Sequence, residues 1–488
     1  MDRLRSIPYK WLVAAVFISG LFMDLLDTTV VNVALPTLGR HFSVGNTTLE
    51  WVITGYLLSL AVWIPASGWL GDRFGTKRIF LLALVLFTLA SALCGLSWSI
   101  GSLIFFRVLQ GVGGGMLTPV GTTMLYRAFP PDERAKASAV LVVPIAVAPT
   151  IGPILGGFLV DYLSWRWIFY VNLPIGILGI ILAATVLREH KEASVGRFDL
   201  WGFLLAGAGL PLVLYALSQG PSAGWTSARV LGTGLGGIGL LVLLTIVELR
   251  VTEPMLALRL FGDRMFRNGN IIMFAVSAGL LGVLFLLPLF LQQLRGLSAL
   301  QSGLTTFPQA LGLIATARIA SQLYPKVGPR RLVMVGLTGT AISTALFLSV
   351  DLDTSLWWIR TIMFLRGVAM AFALIPVQAA TYATISPADT GRASSLFSTT
   401  RQVASSVGIA VLATVLAQRA TAHLAGSAAR TPESIRHAAV LSFHDSYLVA
   451  VLIAIVGVAC AFLIHDEDAA ASIVQAAPSP VQAEPATA

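Results

Sequence analysis

Apolar residues in this chain do not alternate with polar ones; they run on. From Trp11 to Pro36, and again from Phe443 to Ile464, the sequence is apolar with few interruptions. Runs of about 20 such residues match the length a helix needs to cross a hydrocarbon core. Strands of a membrane barrel would instead alternate apolar and polar positions over roughly ten residues. The pattern predicts helices near 11–37, 48–70, 79–98, 100–126, 135–161, 167–187, 199–218, 230–249, 268–294, 300–323, 332–350, 357–384, 393–417 and 444–464. The expected fold is therefore an all-α membrane protein with fourteen transmembrane helices.

Composition supports a bilayer as the solvent, since 56% of the residues are hydrophobic and only 11% are charged. Hydrocarbon offers no water to backbone N–H and C=O groups, so only helices or a closed barrel can span it. The net charge of +9 could suggest nucleic acid, but the basic residues lie in short loops between apolar runs and read as topology signals. Twenty Lys and Arg fall on the side of the termini and eight on the other, with Arg107, Arg318, Arg366 and Arg401 inside helices. That bias places both termini in the cytoplasm of a multi-pass cell-membrane protein. Cys94 and Cys460 each lie in an apolar run, so neither a disulfide framework nor a metal site is expected. No small-x-small cleavage site ends the first apolar stretch, which is read as a retained helix. The tail, rich in Ala, Pro and Gln, is expected to be disordered.

The two ends of the chain repeat each other weakly. Phe106-Arg107-Val108 opens the fourth run as Leu365-Arg366-Gly367 opens the twelfth, and Asp72-Arg-Phe-Gly-Thr-Lys-Arg aligns with Pro325-Lys-Val-Gly-Pro-Arg-Arg. The predicted organisation is a six-helix half over 1–187, a linker with two inserted helices over 188–250, a second six-helix half over 251–468, and a tail over 469–488. Two pseudo-symmetric bundles with a substrate site between them are the build of alternating-access carriers.

Four stretches carry a resemblance. They are Leu26-Asp-Thr-Thr-Val-Val-Asn-Val-Ala-Leu-Pro36, Gly68-Trp-Leu-Gly-Asp-Arg-Phe-Gly-Thr-Lys-Arg78, Arg107-Val-Leu-Gln-Gly111 and Ala148-Pro-Thr-Ile-Gly-Pro-Ile-Leu-Gly-Gly157. In this order, with this helix count, the chain resembles the major facilitator superfamily and its fourteen-span drug:proton antiporter branch. The resemblance implies export by antiport for the fifth-span motif, whose first glycine is here Ala148. It also implies a charge lock on the cytoplasmic side formed by Gly68, Asp72, Arg73, Gly75, Lys77 and Arg78, with Arg127 or Arg134 as partners.

Asp24 and Asp27 are the carboxylates deep in a span, where a charge costs several kcal/mol unless paired, solvated or neutralised. At i,i+3 they point to one helix face, and a shared proton is the expected state. Either they carry protons or Asp27 merely fastens its helix to its neighbours. Arg107 is predicted within about one helical turn of Asp27 in depth. Always protonated, it can drive the carboxylate to release a proton, a coupling role that the resemblance also implies; a purely structural arginine is the other reading. Ala148, Gly152 and Gly156 recur every four residues beside Pro149, Pro153 and Gly157, as expected for a closely packed, kinked gate helix or for ordinary helix packing. The second half has no deep carboxylate, which weakens a specialisation for dicationic drugs. Asn32, Gln309, Arg366, Gln378 and Arg401 are candidate substrate contacts. The expected function is proton-coupled export of small amphipathic or lipophilic compounds, with export of an endogenous lipid, siderophore or metabolite as the alternative and a membrane receptor or enzyme as a remote one. The expected partners are that substrate, protons and the bilayer, with no nucleic acid, no metal and no cofactor beyond the proton gradient; the oligomeric state stays open.

Overall fold

A computed structural model describes residues 7–192, 195–425 and 431–470, and among these no strand occurs. In the described residues fourteen long helices succeed one another: α1 (Tyr9–Phe42), α2 (Asn46–Phe74), α3 (Thr76–Gly95), α4 (Ile100–Ala128), α5 (Arg134–Tyr162), α6 (Asn172–Val186), α7 (Leu200–Ala223), α8 (Ala228–Arg250), α9 (Arg264–Leu289), α10 (Ala299–Val327), α11 (Pro329–Ala345), α12 (Leu356–Thr381), α13 (Thr390–Ala425) and α14 (Pro432–Ala461). Thirteen are long and apolar enough to cross a membrane. The exception, α10, carries Gln301, Thr305, Thr306, Gln309, Thr316 and Arg318, and packs against α5 and α12.

Helix ends obey local chemistry. Ser99 and Ser102 form a reciprocal capping box on α4, and Ser298 and Gln301 form one on α10. α1 ends at Ser43, the one described non-glycine residue with a positive φ, while the N–H of Val44 bonds back to the Gly39 carbonyl. The stretch left between the predicted helices 393–417 and 444–464 is mostly helix among its described residues. α13 runs on to Ala425 and α14 starts at Pro432, and Asp445 accepts from Arg419 Nε at 2.6 Å and contacts His423 Nε2 at 2.7 Å. A hydropathy criterion stops at the bilayer edge, whereas charged pairs continue a helix past it. The tail is outside the described residues from residue 471 onward.

Within the first half α4 packs on α2 and α3, and α1 packs on α5; within the second, α12 packs on α10 and α11, and α9 on α13. The halves meet where α5 lies on α10 and α12, and where α13 lies on α2 and α4. The inserted α7 covers the seam between α2 and α13, while α8 packs mainly on α7. At one end Trp225 Nε1 donates to Thr414 Oγ1 at 2.9 Å and Gln219 Nε2 donates to Glu50 at 3.2 Å, tying the inserted pair to both halves.

Several helix crossings depend on missing side chains. A Cβ on Gly367 would run into the carbonyl of Gln309, and one on Gly312 into the carbonyl of Phe364, so α10 and α12 touch backbone to backbone. Gly367→Ala should therefore cost about 1–3 kcal/mol of stability, the usual penalty for overpacking. Thermal denaturation in detergent checks this, and an unchanged midpoint would contradict the close approach.

Candidate functional site

α1 brings two carboxylates into the first half, and neighbouring helices supply their donors. Asp27 is fully buried and Arg107 is 1% exposed. Arg107 Nη1 donates to Asp27 Oδ2 at 2.5 Å and to Gln110 Oε1 at 2.7 Å, while its Nε donates to the Val52 carbonyl at 3.0 Å. The other carboxylate oxygen accepts from Gln110 Nε2 and from Asn172 Nδ2, both at 2.9 Å. Asn172 also donates to Ser91 Oγ at 3.1 Å. The Arg107 guanidinium lies 4.2 Å from the centroid of the Tyr56 ring, a cation–π contact that adds to its fixation. Asp27 is thus held by donors from α4 and α6 in a dry setting. An unpaired charge there would cost several kcal/mol, and a pair with its lone pairs satisfied is the arrangement that persists.

Asp24 has a separate partner: the Tyr56 hydroxyl donates to its Oδ1. Among the described residues no hydrogen bond joins Asp24 to Asp27, and each carboxyl group meets its own donors. From the second half, Arg401 on α13 comes within electrostatic range of Asp24, and its guanidinium makes no hydrogen bond or ion pair among the described residues.

On the side of the termini, Asp72 at the end of α2 accepts from Arg127 Nη2 at 3.1 Å, and the same nitrogen donates to Glu192 at 2.8 Å. Arg127 also reaches the Pro387 carbonyl of the second half at 3.3 Å. A Cβ on Gly68 would meet the Gly391 carbonyl at 2.6 Å, and Ser67 and Ser395 share a hydrogen bond of 3.0 Å. Arg134 donates to the Tyr382 carbonyl, and Tyr126 stacks on Tyr382 with centroids 4.4 Å apart. These contacts close the seam on this side. The basic part of the motif faces elsewhere: Lys77 Nζ donates to the Ala184 carbonyl at 2.7 Å, Arg78 lies 3.6 Å from Glu189, and Arg73 is exposed. Gly75 has φ +102° and leaves room for the Glu189 carboxylate; Gly328, at the aligned place in the second half, has φ +84° and leaves room for Asp466.

The small-residue ridge of α5 points toward α1. A Cβ on Gly152 would collide with Thr29, one on Gly156 would meet the Val30 carbonyl at 3.1 Å, and Thr29 Oγ1 donates to the Ala148 carbonyl at 3.4 Å. Nothing lies within 4 Å of a Cβ on Gly157. α5 runs unbroken through Pro149 and Pro153, and its other face, at Thr150 and Ile154, meets Gly303 of α10. The small-residue ridge itself is thus a contact within the first half, because β-branched residues of α1 fill the groove it forms, while α5 meets the second half through its other face.

The candidate substrate contacts do not form one cluster. Asn32 is exposed on α1 and donates to the Thr28 carbonyl at 3.0 Å. Gln309 and Arg366 are buried and bonded to each other at 2.8 Å, Gln378 is buried in α12, and Arg401 is part-buried.

With this geometry in place, comparison with known proteins is decisive. A model of the Major Facilitator Superfamily matches residues 17–409. The chain belongs to this superfamily. It is a multi-pass membrane transporter and not an enzyme, and its fourteen helices place it with the fourteen-span branch. A multidrug resistance protein B homolog from Mycobacterium tuberculosis is 37% identical over 83% of this chain and 75% of its own. The MFS-type transporter YhcA of Bacillus subtilis, itself uncharacterised, is 34% identical over 85% of this chain and 78% of its own. Two solved transporters share the fold. The human organic anion transporter MFSD10 has a TM-score of 0.63 at 18% identity and covers 92% of this chain and all of its own. The proton:xylose symporter XylE has a TM-score of 0.60 at 15% identity and covers 92% and 94%.

Sequence reasoning missed Tyr56, Gln110, Asn172, Glu189 and Glu192. Only Gln110 had a signal, since it stands one turn after Arg107 and inside the fourth-span motif. The rest come from helices or loops distant in sequence. If the Arg127 contacts hold the seam closed, Arg127→Ala should raise labelling of a cysteine placed at Ser395, in a background lacking Cys94 and Cys460, about fivefold from the side of the termini. That is the shift expected for losing a pair worth about 1 kcal/mol. Equal labelling rates would show that the closure rests on packing alone.

Proposed function

We propose that this transporter exports small amphipathic compounds in exchange for protons, alternating access between two halves at 1–187 and 251–468. The observation that carries the reading is the buried Asp27 carboxylate, held by Arg107, Gln110 and Asn172 on a helix that also packs against the α5 motif. A proton arriving at Asp27 cancels its charge and leaves Arg107 with neutral acceptors at Gln110 and Val52. The two protonation states therefore favour different placements of α1 against α4 and α6. Thr29 and Val30 on the same helix transmit the shift to α5, which lies against α10 and α12 of the second half. Asp24 offers a second protonatable group next to Arg401 of the opposite half, so its charge bears directly on how the halves meet.

The excess of Lys and Arg on the terminal side supports a cytoplasmic location for both termini and for the closed seam at Arg127. The name of the mycobacterial relative supports drug efflux. Arg401, with no carboxylate bonded to it among the described residues, supports neutral, zwitterionic or anionic substrates over dications. Asn32, exposed on α1, and Arg401, part-buried on α13, are the contacts proposed for a substrate between the halves.

Efflux of an amphipathic fluorescent dye from proteoliposomes under an imposed pH gradient tests the reading. Asp27→Asn should lower pH-driven efflux at least about 100-fold at equal expression, since it keeps the volume but removes the titrating group. Arg107→Ala should do the same and destabilise the protein by about 3–5 kcal/mol, the cost of stranding a buried charge. The double substitution should lose scarcely more activity than either single one, as for groups serving one step. Unchanged pH-driven efflux in Asp27→Asn, or strictly additive losses, would overturn the mechanism.

A further inference from the structure

Arg366 occupies in the second half the place that Arg107 occupies in the first, and it is fully buried. Its surroundings differ in one respect. Arg107 meets a carboxylate from α1, whereas Arg366 meets only neutral acceptors: Nη1 donates to Gln309 Oε1 at 2.8 Å, Nη2 to the Gly279 carbonyl at 2.9 Å, and Nε to Thr344 Oγ1 at 3.3 Å. Three of its five N–H groups are used, and among the described residues no Asp or Glu forms an ion pair with it.

Next to this charge lies space. A Cβ built on Gly279 of α9, whose carbonyl accepts from Arg366, meets nothing within 4 Å. A cavity of about 10 Å³ opens beside it, lined by Gly279 and Val283 of α9, Thr340 and Thr344 of α11, Arg366 of α12 and Ala450 of α14. Such a volume holds one particle of roughly water size. The free groups around it are donors. Two guanidinium N–H groups and the Thr344 hydroxyl proton have no acceptor among the described residues, and Thr340 has spent its proton on the Gly336 carbonyl. On α14, the Tyr447 hydroxyl is buried without a hydrogen-bond partner. A buried cation with unspent donors and a one-particle void is the chemistry of an anion site.

We propose that this cavity binds a single halide-sized monovalent anion, chloride in the cell, held by Arg366 and Thr344 in the role that Asp27 has for Arg107. The site lies inside the second-half bundle among α9, α11, α12 and α14, away from the seam, and the inference does not rest on the transport reading. A carboxylate-bearing organic ion is larger than the cavity, which leaves the halides as the fitting class.

The test is the thermal midpoint of the purified full-length protein in detergent, titrated with chloride against gluconate at constant ionic strength. Chloride should raise the midpoint saturably, as for a ligand that binds only the folded state. Thr344→Val keeps the volume but removes the hydroxyl, and should raise the half-saturating chloride concentration about tenfold. Gly279→Asp tethers a carboxylate in the empty space and should make the midpoint independent of chloride. A parent protein with equal midpoints in the two salts overturns the proposal, and so does an unaltered chloride response in either folded variant.

Discussion

A charge buried in a bilayer must find its counter-charge within the protein, and in the first half of this transporter that requirement organises four helices at once. Asp27 on α1 and Arg107 on α4 neutralise each other, and Gln110, Asn172 and the Val52 carbonyl take up the remaining hydrogen-bonding capacity. Moving any one of α1, α2, α4 or α6 alone would strand a charge or a polar group, so these helices are free to move chiefly as a unit. A rigid half is what alternating access needs, and one proton is enough to change the energy of its central contact.

The two halves repeat in backbone and differ in charge. Gly75 makes room for Glu189 and Gly328 makes room for Asp466, so in each half a carboxylate from the segment after the sixth helix folds onto the turn after the second. Yet the aspartate that meets Arg127 in the first half is replaced by Pro325 in the second, and the carboxylate that meets Arg107 has no equivalent beside Arg366. Proton-responsive groups therefore gather on one side of the seam, and the second half presents arginines. This asymmetry is what the proposed coupling through α1 and the proposed anion beside Arg366 both address.

The inserted helices change the boundary without changing the plan. An even number of added spans preserves the orientation of the second half, and α7 lies along the seam between α2 and α13. Hydrogen bonds from the inserted segment to Glu50 and Thr414 reach both halves. In the proposed alternation the halves slide along α7 or carry it with one of them. The close backbone contact of Gly68 with Gly391 sits on the same pair of helices, so the proposed gate and α7 lie on one surface.

Runs of apolar residues predicted the fourteen helices, although α10 falls short of the apolarity of a membrane span, since burying a backbone in hydrocarbon leaves few other options; the positions of Asp27 and Arg107 in runs of opposite direction predicted their common depth. Membership of the superfamily was legible in four short motifs because they hold the residues with special backbone or charge requirements. The tertiary structure decided the rest. It gave Asp24 to Tyr56 and added Gln110 and Asn172 to the expected pair of Asp27 and Arg107, because these donors arrive from helices far away in sequence. It turned the α5 ridge toward α1 because Thr29 and Val30 fit that groove. It set Arg366 beside an empty glycine rather than at the seam. A sequence records which groups are charged and roughly how deep they lie; which partner each one meets is fixed only when the helices have been rotated against one another.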